Sequence, residues 1–568
     1  MRWAHTIAAC LSLIPAVAAA QSDGNGSLPL KHAARPTTPA ITAADLMTRL
    51  YVYADDSMLG RETGTIGDVK ATDYIAAEAR RLGLQPAGDS GTYFQTLPLK
   101  TRTFDTTSSF TVNGVRLAPY SDYLSLSRTS VSPGSLAIVY GGVAGDSTHG
   151  IAPDQAAGKL VVLRTAGGPN SLRTLRRGSA VPGAAAVALV ALDGVPSFFL
   201  STLRRPQTFL DDNTTPTPAQ TPTLLISTAA AARMFAQPLD SLGVGAAGGT
   251  AAIDVRYVIA AAPFPARNVV GIVRGSDPRL RGEYVAIGAH NDHIGLTPRA
   301  LDHDSIRIWN HVVRPEGADD AAKQATPAQQ SQVDSLLAAF RAAHPGSARV
   351  DSISNGADDD GSGTVTVLEI AERIATLAKK PRRSILFVWH TGEEKGLLGS
   401  RYFTDHPTVP RDSIVAQLNM DMVGRGDAGD ETGRTSQGAP LHGSAGYLQL
   451  VGSRRLSTEL GDLIEQVNTA DHFDLTFDYA MDADGHPSNI YCRSDHYEYA
   501  RYGIPITFFT TGLHSDYHQV TDEPEYIDYA HMAKVGNFVE DVAVHVANLD
   551  HRVVVDHPKP DPTGLCRQ

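Results

Sequence analysis

Cysteine is scarce in this chain. Three occur in 568 residues, Cys10, Cys492 and Cys566, too few for a thiolate metal cluster or a disulfide-built scaffold. Cys10 lies in an N-terminal stretch with the marks of a secretory signal. The two that remain could form one disulfide in an oxidising compartment or stay as free thiols. Long apolar runs are missing too. None reaches the roughly 18 uninterrupted residues of a membrane span; Asp193, for example, breaks the stretch from Ala184 to Leu200. Basic residues are outnumbered, 49 Lys and Arg against 61 Asp and Glu, for a net charge of -12. That balance argues against a nucleic-acid partner, which needs a basic face. No internal repeat of solenoid period is present.

The chain is too long for one ordinary core. Residues 1–20 read as a signal peptide: Arg2, an apolar stretch from Ile7 to Val17, then Ala18-Ala19-Ala20 before Gln21. A secreted or periplasmic protein is expected. Residues 21–40, rich in Ser, Gly, Pro and Thr, read as a flexible leader. In 41–104, helices are expected near 43–53 and 69–82, the second stopped by Gly83. Residues 105–258 carry short β-like runs (136–140, 159–163, 185–191) between turn clusters, with a weak helix at 171–177. From 259 to 550 strands alternate with helices: strands at 284–288, 385–389, 414–418 and 504–509, helices at 365–379, 456–467 and 527–549. This alternation predicts an α/β fold with a mixed, mostly parallel central sheet flanked by helices. Within it, 295–355 is a polar insertion with one expected helix, 329–343. It reads as a mobile lid or a solvated surface segment, the latter favoured. Residues 551–568 form a tail.

The polar residues of the second half fall where such a sheet would gather them. Strand 284–288 runs into His290-Asn291-Asp292-His293, strand 385–389 into Glu393-Glu394, strand 414–418 into Asp421, and strand 504–509 toward Tyr517-His518. Asp358-Asp359-Asp360-Gly361-Ser362-Gly363 precedes a helix. Sites in open α/β sheets form beyond the carboxyl ends of the strands. Two imidazoles and three carboxylates without cysteine suit zinc, with cobalt or manganese as substitutes. Five ligands exceed the three of a single catalytic zinc and fit two ions sharing one carboxylate. On an extended segment neighbouring side chains point to opposite sides, so one of Glu393 and Glu394 would face the metal and the other the water.

These residues resemble peptidase family M28, the zinc aminopeptidases. His290-x-Asp292-His293, Asp359-Asp360-Gly361-Ser362-Gly363, Gly392-Glu393-Glu394-x-Gly396-Leu397, Asn419-x-Asp421-Met422-Val423-Gly424, Ser494-Asp495-His496 and Tyr517-His518 stand in family order. The resemblance implies a zinc-exopeptidase fold of the phosphorylase/hydrolase-like type and two zinc ions per chain. His290 and Asp421 would hold one, Glu394 and His518 the other, with Asp359 between them. Glu393 would be the general base, Asp292 would orient His290 through its other ring nitrogen, and Tyr517 would donate to the oxyanion. In similar enzymes the Asp359-Asp360 peptide is cis. His293, His496 and His514 are expected to be supporting or surface groups rather than ligands. Asp495 would either meet the substrate's amino terminus or orient a neighbour. Residues 105–258 resemble a protease-associated (PA) domain, through Gly158–Leu163 and Thr223–Ser227. One departure is the separation of His290 and Asp359 by 69 positions, longer than the family pattern. The implied substrates are peptide or protein N-termini. Carboxypeptidases, other amide hydrolases and glutaminyl cyclases share the scaffold, and a metal-free binding protein is the contrasting class.

Overall fold

Seven-residue runs that are apolar on both faces form the middle of the molecule. The computed structural model describes residues 28–568 apart from 128, 147, 166–180, 196–199, 201–202, 212–220, 315–323, 347, 426–432, 435–439 and 442–445. The signal-peptide reading and the helix expected at 171–177 lie outside the described residues. The main sheet has nine strands: β1 (Gln85–Pro86), β2 (Phe94–Thr96), β3 (Arg267–Val273), β4 (Tyr284–His290), β5 (Ser384–His390), β6 (Ile414–Met420), β7 (Tyr447–Val451), β8 (Thr476–Asp478) and β9 (Ile506–Thr510). Their order is β1-β3-β5-β4-β6-β9-β7-β8, with β2 also pairing β3. The central strands β5, β4, β6 and β9 are parallel. β3 and β7 flank them antiparallel. Every residue of β5 and β6 is buried, as expected where helices cover both faces of a parallel sheet.

The principal helices are α1 (Ala43–Tyr53), α2 (Ile66–Arg81), α3 (His303–Val313), α4 (Pro327–Ala343), α5 (Gly363–Thr376), α6 (Thr458–Ala470) and α7 (Tyr529–Asn548). On one face Leu46 and Leu50 of α1, Val367 and Ile370 of α5 and Phe538 and Val542 of α7 pack against Ile287, Phe387 and Leu418. On the other, Phe403, Tyr499 and Ala500 cover Val270, Ala286, Val388 and Ile506. The fold is therefore the mixed, mostly parallel α/β class expected. No helix among the described residues is long and apolar enough to cross a membrane.

Two sequence expectations change. Residues 28–40, read as a flexible leader, lie against the helices: the Tyr51 hydroxyl donates to the carbonyl of Pro29, and Thr37 to Glu372 at 2.6 Å. The 295–355 insertion holds a second helix, α3, and a two-stranded ribbon, Leu296–Asp302 with Val350–Ile353. The α3 start was readable after the fact: the side chain of Asp302 caps it by accepting from the Ser305 amide.

The segment from 105 to 258 leaves and re-enters through two adjacent strands, Leu99–Phe104 and Tyr257–Ala261, with Phe104 opposite Tyr257. Between them an eight-stranded sheet encloses its own apolar cluster, including Phe110, Ile138, Leu160 and Ile226. Cys492 and Cys566 are joined in a disulfide, with Cα atoms 5.8 Å apart.

A buried charge ties α1 to α2 and α5. Arg49, 1% exposed, contacts Glu369, meets Glu372 at 2.5 Å and Glu78 at 2.6 Å. Burial raises the Glu369 carboxyl to about 7 even though Arg49 pulls it down. Glu78 and Glu372 also pair with Arg81, so replacing Arg49 with methionine would leave the buried Glu369 carboxyl without its cation, and about 3–5 kcal/mol of stability is expected to be lost. The loss should be greater at pH 8 than at pH 5. A carboxyl with a folded pKa raised above its free value contributes most below the free value and loses that contribution as pH rises. Removing the cation pushes the folded value higher still. Denaturant unfolding at the two pH values measures this; an equal loss at both would reject the charge argument.

Candidate metal centre

Four of the five ligand candidates stand on firmly supported backbone. His290 is the last residue of β4, and Asp421 follows β6 directly. Glu393 and Glu394 lie three and four residues beyond β5. Their segment is a turn, closed by Leu398 N–H to Gly392 O and Gly396 N–H to Glu393 O, not the extended stretch expected. The two carboxylates part company nonetheless, through the turn's geometry. Asp359 sits in the kinked segment Ala357–Ser362 that leads into α5, between Gly356 in the left-handed region (φ 54°) and Gly363. A Cβ at Gly356 would come within 2.5 Å of the His293 ring, so only glycine fits there. The Asp359-Asp360 peptide is cis. His518 alone rides a long loop, between β9 and α7.

The side chains meet. One Asp359 oxygen, Oδ1, lies 3.1 Å from His290 Nε2, and the other, Oδ2, lies 3.1 Å from His518 Nε2. Asp421 Oδ1 is 3.5 Å from His290 Nε2. Glu394 Oε2 is 3.0 Å from His518 Nε2. His290 Nε2, His518 Nε2 and Asp359 Oδ2 are buried without a hydrogen-bond partner. Close approach without hydrogen-bond geometry is what lone pairs facing a shared cation leave behind, so the donor set fits a metal. Two groupings of potential ligand atoms share Asp359: His290, Asp359 and Asp421, and His293, Asp359 and Glu394.

The charge balance points the same way. Burial works against a proton on His518, but Glu394 and Asp359 outweigh it and raise its pKa to about 10. Burial, reinforced by Asp421, Glu394 and Asp495 and opposed by His290, holds the Glu393 carboxyl well above the usual range. Carboxylates crowded this way are relieved by a cation.

The supporting residues sort differently from expectation. His290 Nδ1 lies nearer the backbone carbonyl of Asp292 (3.1 Å) than its carboxylate (3.7 Å). The Asp292 carboxylate instead accepts from the Glu393 amide (3.1 Å) and the Thr63 hydroxyl (2.7 Å), which sets the position of the glutamate pair. His293 is fully buried, its Nδ1 2.8 Å from Glu394 Oε1, closer to the ligand cluster than the sequence reading placed it. His514 pairs with Asp358 at 3.1 Å, and His496 stacks on Phe508. Asp495 is buried and faces His390 at 3.4 Å, which matches the orienting alternative. The Tyr517 ring stacks on that of His518, and its hydroxyl accepts from Arg493 at 3.2 Å.

Several residues that hold the site were not picked out from the sequence. The Asp522 carboxylate accepts from the amides of Asp358 and Asp359 at 3.0 to 3.1 Å. Asp360 accepts from the amides of His290, Gly363 and Met422. The Thr364 hydroxyl donates to the His290 carbonyl at 2.6 Å. Asp360 stood inside a motif, but Asp522 has no signal beyond being an acidic residue four positions after His518. Beside the cluster lies a cavity walled by Met422, Met481, Ile490, Phe508 and Leu513, with Glu393, Asp421 and Tyr517 at its polar side.

A family model described as peptidase family M28 matches residues 333–543. Leucine aminopeptidase 1 of Paracoccidioides brasiliensis (strain Pb03) is 34% identical over 188 residues, 31% of this chain and 43% of that protein. Leupeptin-inactivating enzyme 1 of Streptomyces exfoliatus is 36% identical over 83 residues, 14% of this chain and 19% of that one. The chain thus spans less than half the length of these curated relatives. Among solved structures, an aminopeptidase from Aneurinibacillus sp. strain AM-1 aligns over 91% of this chain and 97% of its own, at 15% identity and a TM-score of 0.47.

Proposed function

We propose, from the membership of residues 333–543 in peptidase family M28, that this protein is a secreted or periplasmic aminopeptidase that uses two zinc ions. The observation that carries the reading is the Asp359 carboxylate, which offers one oxygen toward His290 and the other toward His518 at equal distances of 3.1 Å. His290 and Asp421 would hold one ion and Glu394 and His518 the other, with Asp359 common to both. Zinc held there supplies Lewis acidity, polarising the scissile carbonyl and making water acidic near neutral pH.

The chain's own groups do the rest. Glu393 lines the cavity beside Asp421 and takes the proton of the attacking water, later passing it to the leaving amine. Asp292 keeps Glu393 in place through the backbone amide. The Tyr517 hydroxyl donates to the carbonyl oxygen as charge develops. The apolar wall of Met422, Met481, Ile490, Phe508 and Leu513 suits an apolar side chain on the N-terminal residue of the substrate; the leucine aminopeptidase relatives support that choice. The β-rich segment 105–258 is assigned a PA-like role in contacting substrate or partner rather than in catalysis.

The test is a panel of amino-acid p-nitroanilides with N-acetylated controls, with and without chelator. Leucine and methionine p-nitroanilides should be cleaved, N-acetyl-leucine p-nitroanilide should be at least about a hundredfold slower, as the loss of a recognised charged group implies, and chelator should stop both. Equal cleavage of blocked and free substrates would reject the aminopeptidase assignment. Release of C-terminal residues from blocked peptides would favour a carboxypeptidase.

A further inference from the structure

The 295–355 insertion does not stand away from the body as a solvated segment. Its helix α3 lies on the loop between β9 and α7, the one that carries Tyr517 and His518. Arg307 Nη1 is 3.0 Å from Asp516 Oδ2, and the Asn310 amide donates to the carbonyl of Ser515 at 3.0 Å. The Arg307 guanidinium sits 3.5 Å from the centre of the Tyr526 ring, on which His303 also stacks. At the far end of the insertion, Arg349 is paired with Glu525 and, at 3.3 Å, with Glu523. Asn355 donates to Glu523 and to Asp56.

We propose that the insertion is a clamp on the His518 loop and that Arg307 and Asn310 are positioning residues for His518. The role given to His518 as a ligand rests on the metal-centre reading above. The other four candidate ligands need no such help, because a strand end or a packed turn supports each. His518 has neither. Its side chain is 34% exposed, against 1% for His290, 4% for Asp359 and 5% for Glu394, and its backbone is in the left-handed region (φ 57°). A loop of this length would otherwise sample many conformations, and ordering its backbone costs conformational entropy. From below, Arg425 holds Asp516 at 3.3 Å and Asp522 holds the Asp359 turn. From above, α3 grips Ser515 and Asp516, three and two residues before His518. The loop is fastened on both sides next to the residue that must not move. The long interval between His290 and Asp359, the chain's departure from the family pattern, thereby gains a role, and none of the insertion's described residues lines the cavity.

The experiment compares the full-length protein with the double variant Arg307→Ala/Asn310→Ala and with Arg307→Lys. The first readout is hydrogen exchange over 512–526 in metal-free protein. Exchange should be about tenfold faster in the double variant, the factor expected for losing about one charge-assisted bond, and unchanged in α5 and α7. The second is zinc content and the rate of zinc transfer to a chromogenic chelator. One ion should leave about 10–100-fold faster, as loss of outer support for a ligand implies, while the other leaves at the wild-type rate. kcat should fall with KM nearly unchanged, and Arg307→Lys should recover most of the effect. Wild-type exchange over 512–526 in the double variant would overturn the clamp, and so would loss of both ions together with a matching fall in thermal midpoint. Wild-type protein that binds no zinc would instead defeat the metal-centre reading, leaving the exchange result to judge the clamp alone.

Discussion

Glu393→Ala is expected to lose nearly all turnover while keeping the wild-type zinc content. A positioned general base contributes about 10²–10⁴-fold to such reactions, so kcat on leucine p-nitroanilide should drop by at least two orders of magnitude. The metal should stay because the neighbouring carboxylate, not this one, meets the imidazoles. Glu394 contacts His293 and His518, whereas Glu393 faces the cavity and is anchored through its backbone amide to Asp292. Glu393→Gln makes the sharper comparison, since it keeps the size and removes only the basic oxygen. Elemental analysis alongside kinetics decides. Parallel loss of metal and activity would make Glu393 a ligand and reverse the roles of the pair.

How much of this centre could be read from the chain follows from where each residue gets its position. His290, Asp421 and the Glu393-Glu394 pair are placed by strand ends, and strands announce themselves through unbroken apolar runs. Their convergence therefore follows from α/β topology alone. Strand β3 is as apolar as β4 but is not among the strands expected from the sequence, because its antiparallel pairing between β1 and β5 has no sequence mark of its own. The insertion misled by composition. Its Asp, Arg and Gln residues read as a solvated face, yet Arg307 and Arg349 spend their charge on Asp516, Glu523 and Glu525 more than 170 positions away. Charge pairing at that separation leaves no local pattern. Asp292 shows the limit of a motif: its presence was legible, but whether its carbonyl or its carboxylate meets His290 depends on a backbone turn that spacing does not encode.

Asp359→Ala should strip the protein of both ions, and this separates a shared carboxylate from an ordinary ligand. Each of the other four candidates touches one imidazole-carboxylate grouping, so Asp421→Ala should weaken one ion and leave the other bound. Asp359 belongs to both groupings, and each of its oxygens faces a different imidazole. Its removal should bring zinc from two ions to below one per chain and activity down to that of the chelated enzyme. Stability gives an independent check. Zinc at about a thousandfold above its dissociation constant adds about 4 kcal/mol, which at roughly 2–4 °C per kcal/mol amounts to a midpoint shift on the order of ten degrees. Wild-type protein should show that shift on chelation, Asp421→Ala roughly half of it, and Asp359→Ala almost none. If Asp359→Ala kept one tightly held ion and half the shift, the aspartate would serve a single site, and the two ions would not share it.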